Sequence, residues 1–189
     1  MIVRTILDTD LYKFTTSYAY IKLFPYAMGR FSFKDRDETE YTEEFLEKLK
    51  AEIDTLSRVK LTHEELEYMT RSCRFLPRVY WEWLSSFRFD PAKIEVYLDE
   101  SHHLHVEVVD YLYKVTLYEV PLLAIISEIK NSFPGNIADP ELIFCKLSEK
   151  IELSNERQLP FSEFGTRRRF SVDVQEAVIG YLSKNARYC

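Results

Sequence analysis

At Arg88-Phe89-Asp90-Pro91 the spacing of this chain's apolar residues changes. In the segments just before it they recur three or four residues apart; just after it they alternate. A helix buries a stripe of 3.6-residue period and a strand buries every second residue, so one layer type cannot satisfy both halves. The order that results is helices, a small antiparallel sheet, then helices again: an α+β fold.

Asp8-Thr9-Asp10 can cap a first helix in which Leu11, Phe14, Tyr18 and Ile21 form the core stripe, Tyr12 and Lys13 lie at its rim, and Pro25 ends it. Met28 to Lys34 alternates as a strand. Phe45, Leu49, Ile53 and Leu56 mark an amphipathic helix over 42–56. Thr62 and Glu65 have capping-box spacing for the next, and Pro77 suits the start of a third, running to Phe87. Ile94 to Leu98, Leu104 to Val109 and Tyr113 to Leu117 read as three antiparallel strands. Glu119-Val120-Pro121 then opens an apolar helix to Ile129. Residues 131–139 form a linker, Pro140 to Lys150 a helix, and Ser171 caps a last helix with Val174, Val178 and Leu182 inward.

The composition excludes several functions. With 31 acids against 25 bases the net charge is −6, so nucleic acid finds no overall attraction and any anion site must be local. The apolar run from Val120 to Ile126 is too short to span a bilayer, and the N-terminus lacks a signal-peptide pattern. Cys73, Cys145 and Cys189 have no metal-ligand spacing, and a reduced, cytoplasmic protein is expected. His103 and His105 share a strand face without an obvious third metal ligand, and His63 reads as a solvated residue. The four glycines cannot build a phosphate-cradling loop, so side chains must hold any phosphate.

Those side chains are offered by Phe161-Ser162-Glu163-Phe164-Gly165-Thr166-Arg167-Arg168-Arg169-Phe170. Phe161 to Phe164 reads as a short strand, and Gly165 lets the backbone turn or approach a ligand. Three arginines then stand ahead of a helix, where α/β proteins bind anions. Arginine grips carboxylate and phosphate oxygens with paired donors. Taken alone, such a run more often coats a solvated surface. In an extended segment neighbours face opposite ways, so Phe164 and Arg167 are expected in one cleft with Arg168 turned elsewhere.

Four segments occur together in order: Leu7-Asp8-Thr9-Asp10-Leu11-Tyr12-Lys13, Phe33-Lys34-Asp35-Arg36, Tyr118-Glu119-Val120-Pro121-Leu122-Leu123 and the arginine stretch. With them the chain resembles, over essentially its whole length, the N-terminal half of a bacterial nicotinate phosphoribosyltransferase. The Asp-x-Tyr-Lys and Phe-Gly-Thr-Arg-Arg-Arg motifs are shared otherwise mainly with the sister nicotinamide enzymes. The resemblance implies an N-terminal domain of helices and antiparallel sheet over 1–133. The start of an irregular α/β barrel would follow over 134–189, with Phe161–Phe164 as an early barrel strand. It implies ATP-coupled formation of nicotinate mononucleotide and pyrophosphate from nicotinate and phosphoribosyl pyrophosphate, in NAD salvage, with Mg²⁺ and ATP as cofactors and a homodimer as the assembly. By the match Phe164 stacks on one face of the nicotinate ring and Tyr12, from a neighbouring subunit, covers the other. Arg167 holds ring-side and pyrophosphate oxygens, Arg36 a phosphate, and Thr166 joins the substrate-binding set.

The family's Gly-Thr-x-x-His-Glu segment, with the histidine phosphorylated from ATP, and its Asp-Ser-Gly-Asp segment have no counterpart in these 189 residues. No catalytic residue is therefore assigned. The expectation is a fragment, whether a truncated gene product, a cloned piece or half of a split enzyme, inactive by itself. The other reading is a non-catalytic subunit that completes the barrel with a second polypeptide. A nucleic-acid-binding module fits the acidic balance least.

Overall fold

The computed structural model describes residues 1–35, 39–134, 139–163 and 165–189. Its elements in chain order are α1 (Leu11–Leu23), β1 (Met28–Ser32), α2 (Glu43–Thr55), α3 (His63–Ser72), α4 (Arg78–Ser86), β2 (Ile94–Leu98), β3 (Leu104–Tyr111), α5 (Leu112–Ser132), α6 (Pro140–Arg157) and α7 (Val172–Asn185). The sheet is antiparallel with order β1-β3-β2, pairing Phe31 with Val108 and Val96 with Val106. The α+β expectation holds.

The core lies between the sheet and the helices. Phe45, Leu49, Ile53 and Leu56, the stripe expected of α2, are all buried, beside Tyr80, Trp81 and Leu84 of α4 and Val106 and Val108 of β3. Trp81 meets the edge of Phe14, with ring centroids 5.4 Å apart. The capping box of α3 is complete: the Glu65 backbone N–H donates to Thr62 Oγ1, and the Thr62 N–H to Glu65 Oε2.

The element that organises the molecule is α5, and part of it was expected to be a strand. Tyr113, Val115 and Leu117 do alternate. However, Val115, Tyr118, Leu122, Ile125 and Ile129 are buried at helical spacing along one continuous helix. Five residues of alternation are too few to outweigh a stripe that continues through three further turns. Pro121, expected near the helix start, sits inside it. β3 passes into α5 without a loop, and the Leu112 N–H donates to the Ala27 carbonyl at 2.8 Å. β1 crosses this corner at Gly29, where a Cβ would stand 2.7 Å from Leu112 Cδ1 and 3.1 Å from its Cα.

Four further expectations change. In α1 Phe14 is buried and Tyr18 and Ile21 pack against the core as expected, but Leu11 is exposed and Lys13 and Ser17 are buried. The two polar residues are drawn in because α5 offers polar partners: Ser17 Oγ donates to the Tyr113 carbonyl at 2.8 Å, and Lys13 meets Glu119. α6 extends beyond Lys150 to Arg157, ending on Gln158 in the left-handed region. Of the expected strand Phe161–Phe164, residues 161–163 pair with no strand among the described residues, and Phe164 lies outside them; the Phe161 N–H donates to the carbonyl of Tyr188. Part of the expected 131–139 linker is helical, since α5 reaches Ser132, and 135–138 lie outside the described residues.

Candidate functional site

Arg167 and Arg168 are not in an extended segment. Thr166–Arg168 form a 3-10 turn closed by the Arg168 N–H on the Gly165 carbonyl at 2.9 Å. The Glu163 carboxylate accepts from the Gly165 N–H at the start of this turn. Gly165 has a φ of −79°, open to any residue, so its special freedom is not used. Ser171 Oγ then accepts from the Val174 N–H and starts α7.

The turn sends its three arginines to different environments. Arg169 is the buried one, its side chain 2% exposed, ion-paired to both Asp8 and Glu128 and donating to the Ile2 carbonyl. Ser127 Oγ donates to the Arg169 carbonyl at 3.0 Å, so the residue bolts the turn to the N-terminus and to α5. Burial pushes the Glu128 carboxyl up, with Arg169 pulling against it. Arg167 is 37% exposed and donates from Nη1 to Glu119 Oε1 at 3.3 Å. Arg168 is exposed.

Arg167 and Arg168 both line an open cleft of about 540 Å³ with Lys34, Asp35, Lys130, Phe31 and Phe33. The expected divergence of the two arginines into and away from the cleft is therefore corrected, because a 3-10 turn lacks the alternation that a strand imposes. Among the described residues of the lining, four cations stand against one carboxylate, so positive charge gathers locally within an acidic chain. Lys130 Nζ donates to Thr39 Oγ1 at 3.0 Å, and the Tyr41 hydroxyl donates to Asp35 Oδ2 at 2.6 Å. A second groove, lined by Tyr18, Tyr80, Trp83, Tyr111 and Tyr113, has Lys22 as its one charge among the described residues, too little for a polyanion.

Behind Arg167 is a cluster of four ionisable groups from three elements. Glu119 of α5 bonds Lys13 of α1 through Oε2 and Arg167 through Oε1. Asp10 stands beside them; burial pushes its carboxyl up while Arg167 and Lys13 pull it down. Its Oδ2 is buried without a hydrogen-bond partner among the described residues.

Residues 7–127 match the model of the nicotinate phosphoribosyltransferase (NAPRTase) N-terminal domain. The chain belongs to the nicotinate phosphoribosyltransferase family. The curated nicotinate phosphoribosyltransferases of Chromohalobacter salexigens and Methanosarcina acetivorans are each 36% identical, over 94% and 95% of this chain but 46% and 48% of their own lengths. Among solved structures, the nicotinate phosphoribosyltransferase of Porphyromonas gingivalis superimposes with a TM-score of 0.93 at 44% identity. It is matched over 99% of this chain and 48% of its own. A putative one from Saccharomyces cerevisiae gives 0.88 at 28%, over 97% and 47%. The chain spans about half the length of the relatives it matches.

Of the substrate-binding residues expected from the family motifs, Arg167 lines the cleft. Thr166 is next to it, but its hydroxyl accepts from Gln175 Nε2 at 3.0 Å. Tyr12 is 42% exposed, away from the cleft lining, with Lys13 Nζ 5.0 Å from its ring centroid. Arg36 and Phe164 lie outside the described residues. Lys34 and Lys130 were not singled out from sequence. Lys34 sits inside a quoted family segment; Lys130 carries no local signal beyond being the basic residue of the last turn of α5. On the histidine strand His105 Nε2 lies 3.0 Å from Asp99 Oδ2, and its ring stacks on Tyr97.

Proposed function

We propose that this chain supplies the substrate-binding half of a nicotinate phosphoribosyltransferase, which moves the ribosyl phosphate of phosphoribosyl pyrophosphate onto nicotinate in NAD salvage. The observation that carries this reading is Arg167, a guanidinium held by Glu119 at a cleft it shares with Lys34, Lys130 and Arg168. Such a group of fixed cations suits the pyrophosphate that departs as an oxocarbenium-like sugar develops, because donors set in advance need no reorganisation as charge builds up. Phe164 and Tyr12 form the ring slot in this reading, Arg36 grips a second phosphate, and Thr166 contributes to substrate binding. The exposure of Tyr12 supports its serving a neighbouring subunit's site, hence a homodimer. Residues 1–133 are read as the N-terminal domain and 134–189 as the start of the barrel, in a cytoplasmic enzyme.

Mg²⁺ fits this cleft only as a passenger on the substrate. Among the described residues no three His, Cys, Asp or Glu side chains gather to hold a metal, and Asp35 is the one carboxylate of the lining. A hard cation that keeps most of its waters binds in this way, through phosphate oxygens and few protein ligands. It would supply charge neutralisation at the pyrophosphate. ATP, which the family implies for the whole enzyme, is assigned no residue and no step in this half.

Calorimetric titration of the 189-residue chain with Mg²⁺–phosphoribosyl pyrophosphate tests the reading. Arg167→Ala is expected to lose about 1.5–3 kcal/mol, the scale of hydrogen bonds to a charged group. Equal affinity of the variant and the parent chain would overturn it.

A further inference from the structure

The Lys13 side chain is 7% exposed, and the acid it meets is the one that holds Arg167. A buried lysine is costly unless paired, so its place here needs an explanation beyond packing. A carboxylate that fixes an arginine by hydrogen bonding also opposes its charge, which would weaken the grip on an anion. Glu119 divides its two oxygens: Oε2 meets Lys13 and Oε1 meets Arg167. We propose that Lys13 is a positioning residue for anion binding: it neutralises Glu119, so that the carboxylate orients the Arg167 guanidinium without cancelling its charge. This rests on the reading of Arg167 as the pyrophosphate-binding arm.

The arrangement accounts for three features together. Lys13 is drawn inward on α1 although its apolar neighbour Leu11 stays out. Glu119 sits on α5 at the place where α1 and the arginine turn converge on that helix. Of the five donors of Arg167, one is bonded among the described residues, so the fork keeps donors for a ligand. Asp10 is a further acid near the two cations, and among the described residues its Oδ2 makes no hydrogen bond to either.

The test is calorimetric titration of the chain with inorganic pyrophosphate, with thermal melts beside it. Lys13→Met leaves the Glu119 charge to act on Arg167 alone. Affinity should fall about fivefold, the scale of one unit charge acting over ~7 Å in a half-wet site. Adding Glu119→Gln to Lys13→Met should recover most of that loss, because the amide oxygen still accepts from Arg167 and the amide N–H₂ faces the new methionine. A purely structural ion pair would lower the melting temperature of Lys13→Met and leave the affinity of the folded protein unchanged; that result overturns the inference. So does a loss that the second substitution fails to recover. Should the single variant melt too low to titrate, the double variant decides: affinity fivefold below the parent chain counts against the proposal, and affinity near it counts for it. Failure of the parent chain to bind pyrophosphate, or undiminished binding by Arg167→Ala, instead removes the reading on which the inference rests.

Discussion

Replacing Arg169 by leucine should unfold this protein more readily than any other change in the arginine run. The guanidinium is enclosed, and the carboxylates it satisfies are nearly so, with Asp8 12% and Glu128 11% exposed. Leucine fills part of the volume but leaves two acids facing each other without a cation. Removing one partner of a buried ion pair costs about 3–5 kcal/mol, mainly because the remaining charge stays desolvated. For a chain of this size that is a fall in Tm of roughly 10 °C. Arg168→Leu, at an exposed position, should change stability by less than ~0.5 kcal/mol. The loss should also depend on pH. Burial and the Asp8 charge raise the Glu128 pKa, while the Arg169 hydrogen bond and charge lower it, so the variant's folded-state pKa rises further. An acid whose folded pKa is raised favours folding while protonated, and that contribution disappears as pH rises through the folded value. The deficit of Arg169→Leu should therefore shrink between pH 7 and pH 5. Urea unfolding of the three proteins at both pH values is the assay. Equal stability of the leucine variants at positions 168 and 169, or a deficit that grows on acidification, would refute the reasoning.

Other substitutions probe parts of the fold. Thr62→Ala removes the oxygen that accepts from Glu65 N–H and should cost about 1 kcal/mol in urea unfolding. Gly29→Ala places a Cβ against the side chain and backbone of Leu112 and should cost about 1–3 kcal/mol; an unchanged midpoint would show that the corner yields freely. The Asp99 carboxyl is held down at about 2, first by its hydrogen bond with His105. His105→Ala should move its NMR titration up towards the ordinary value of 3.8. An unmoved titration would mean that the backbone N–H donors suffice.

Sequence was a good guide wherever one element's own pattern decided the outcome. The stripe of α2, the capping box at Thr62 and the alternation of β2 and β3 each depend on neighbours in the chain, and each is present as read. The errors come from partners distant in sequence. Nothing near Lys13 announces that Glu119 will draw it inward, and nothing near Tyr113 shows that its segment continues a helix enclosed on several sides. The three arginines look alike in sequence and are separated by tertiary context: Asp8 and Glu128 claim Arg169, Glu119 claims Arg167, and Arg168 has no such acid among the described residues. Of the cleft lining, Arg167 belongs to a quoted family motif, whereas Lys130 comes into view only when α5 is folded past the strand that carries Phe31.

A crystal structure of the chain with pyrophosphate tests the central claim most directly. The account predicts the anion in the cleft between Lys34, Lys130 and Arg167, bonded to Arg167 donors other than the Nη1 that Glu119 occupies, with the Lys13–Glu119 contact intact. Pyrophosphate bound elsewhere, or Arg167 turned out of a cleft that holds the anion without it, would contradict the account.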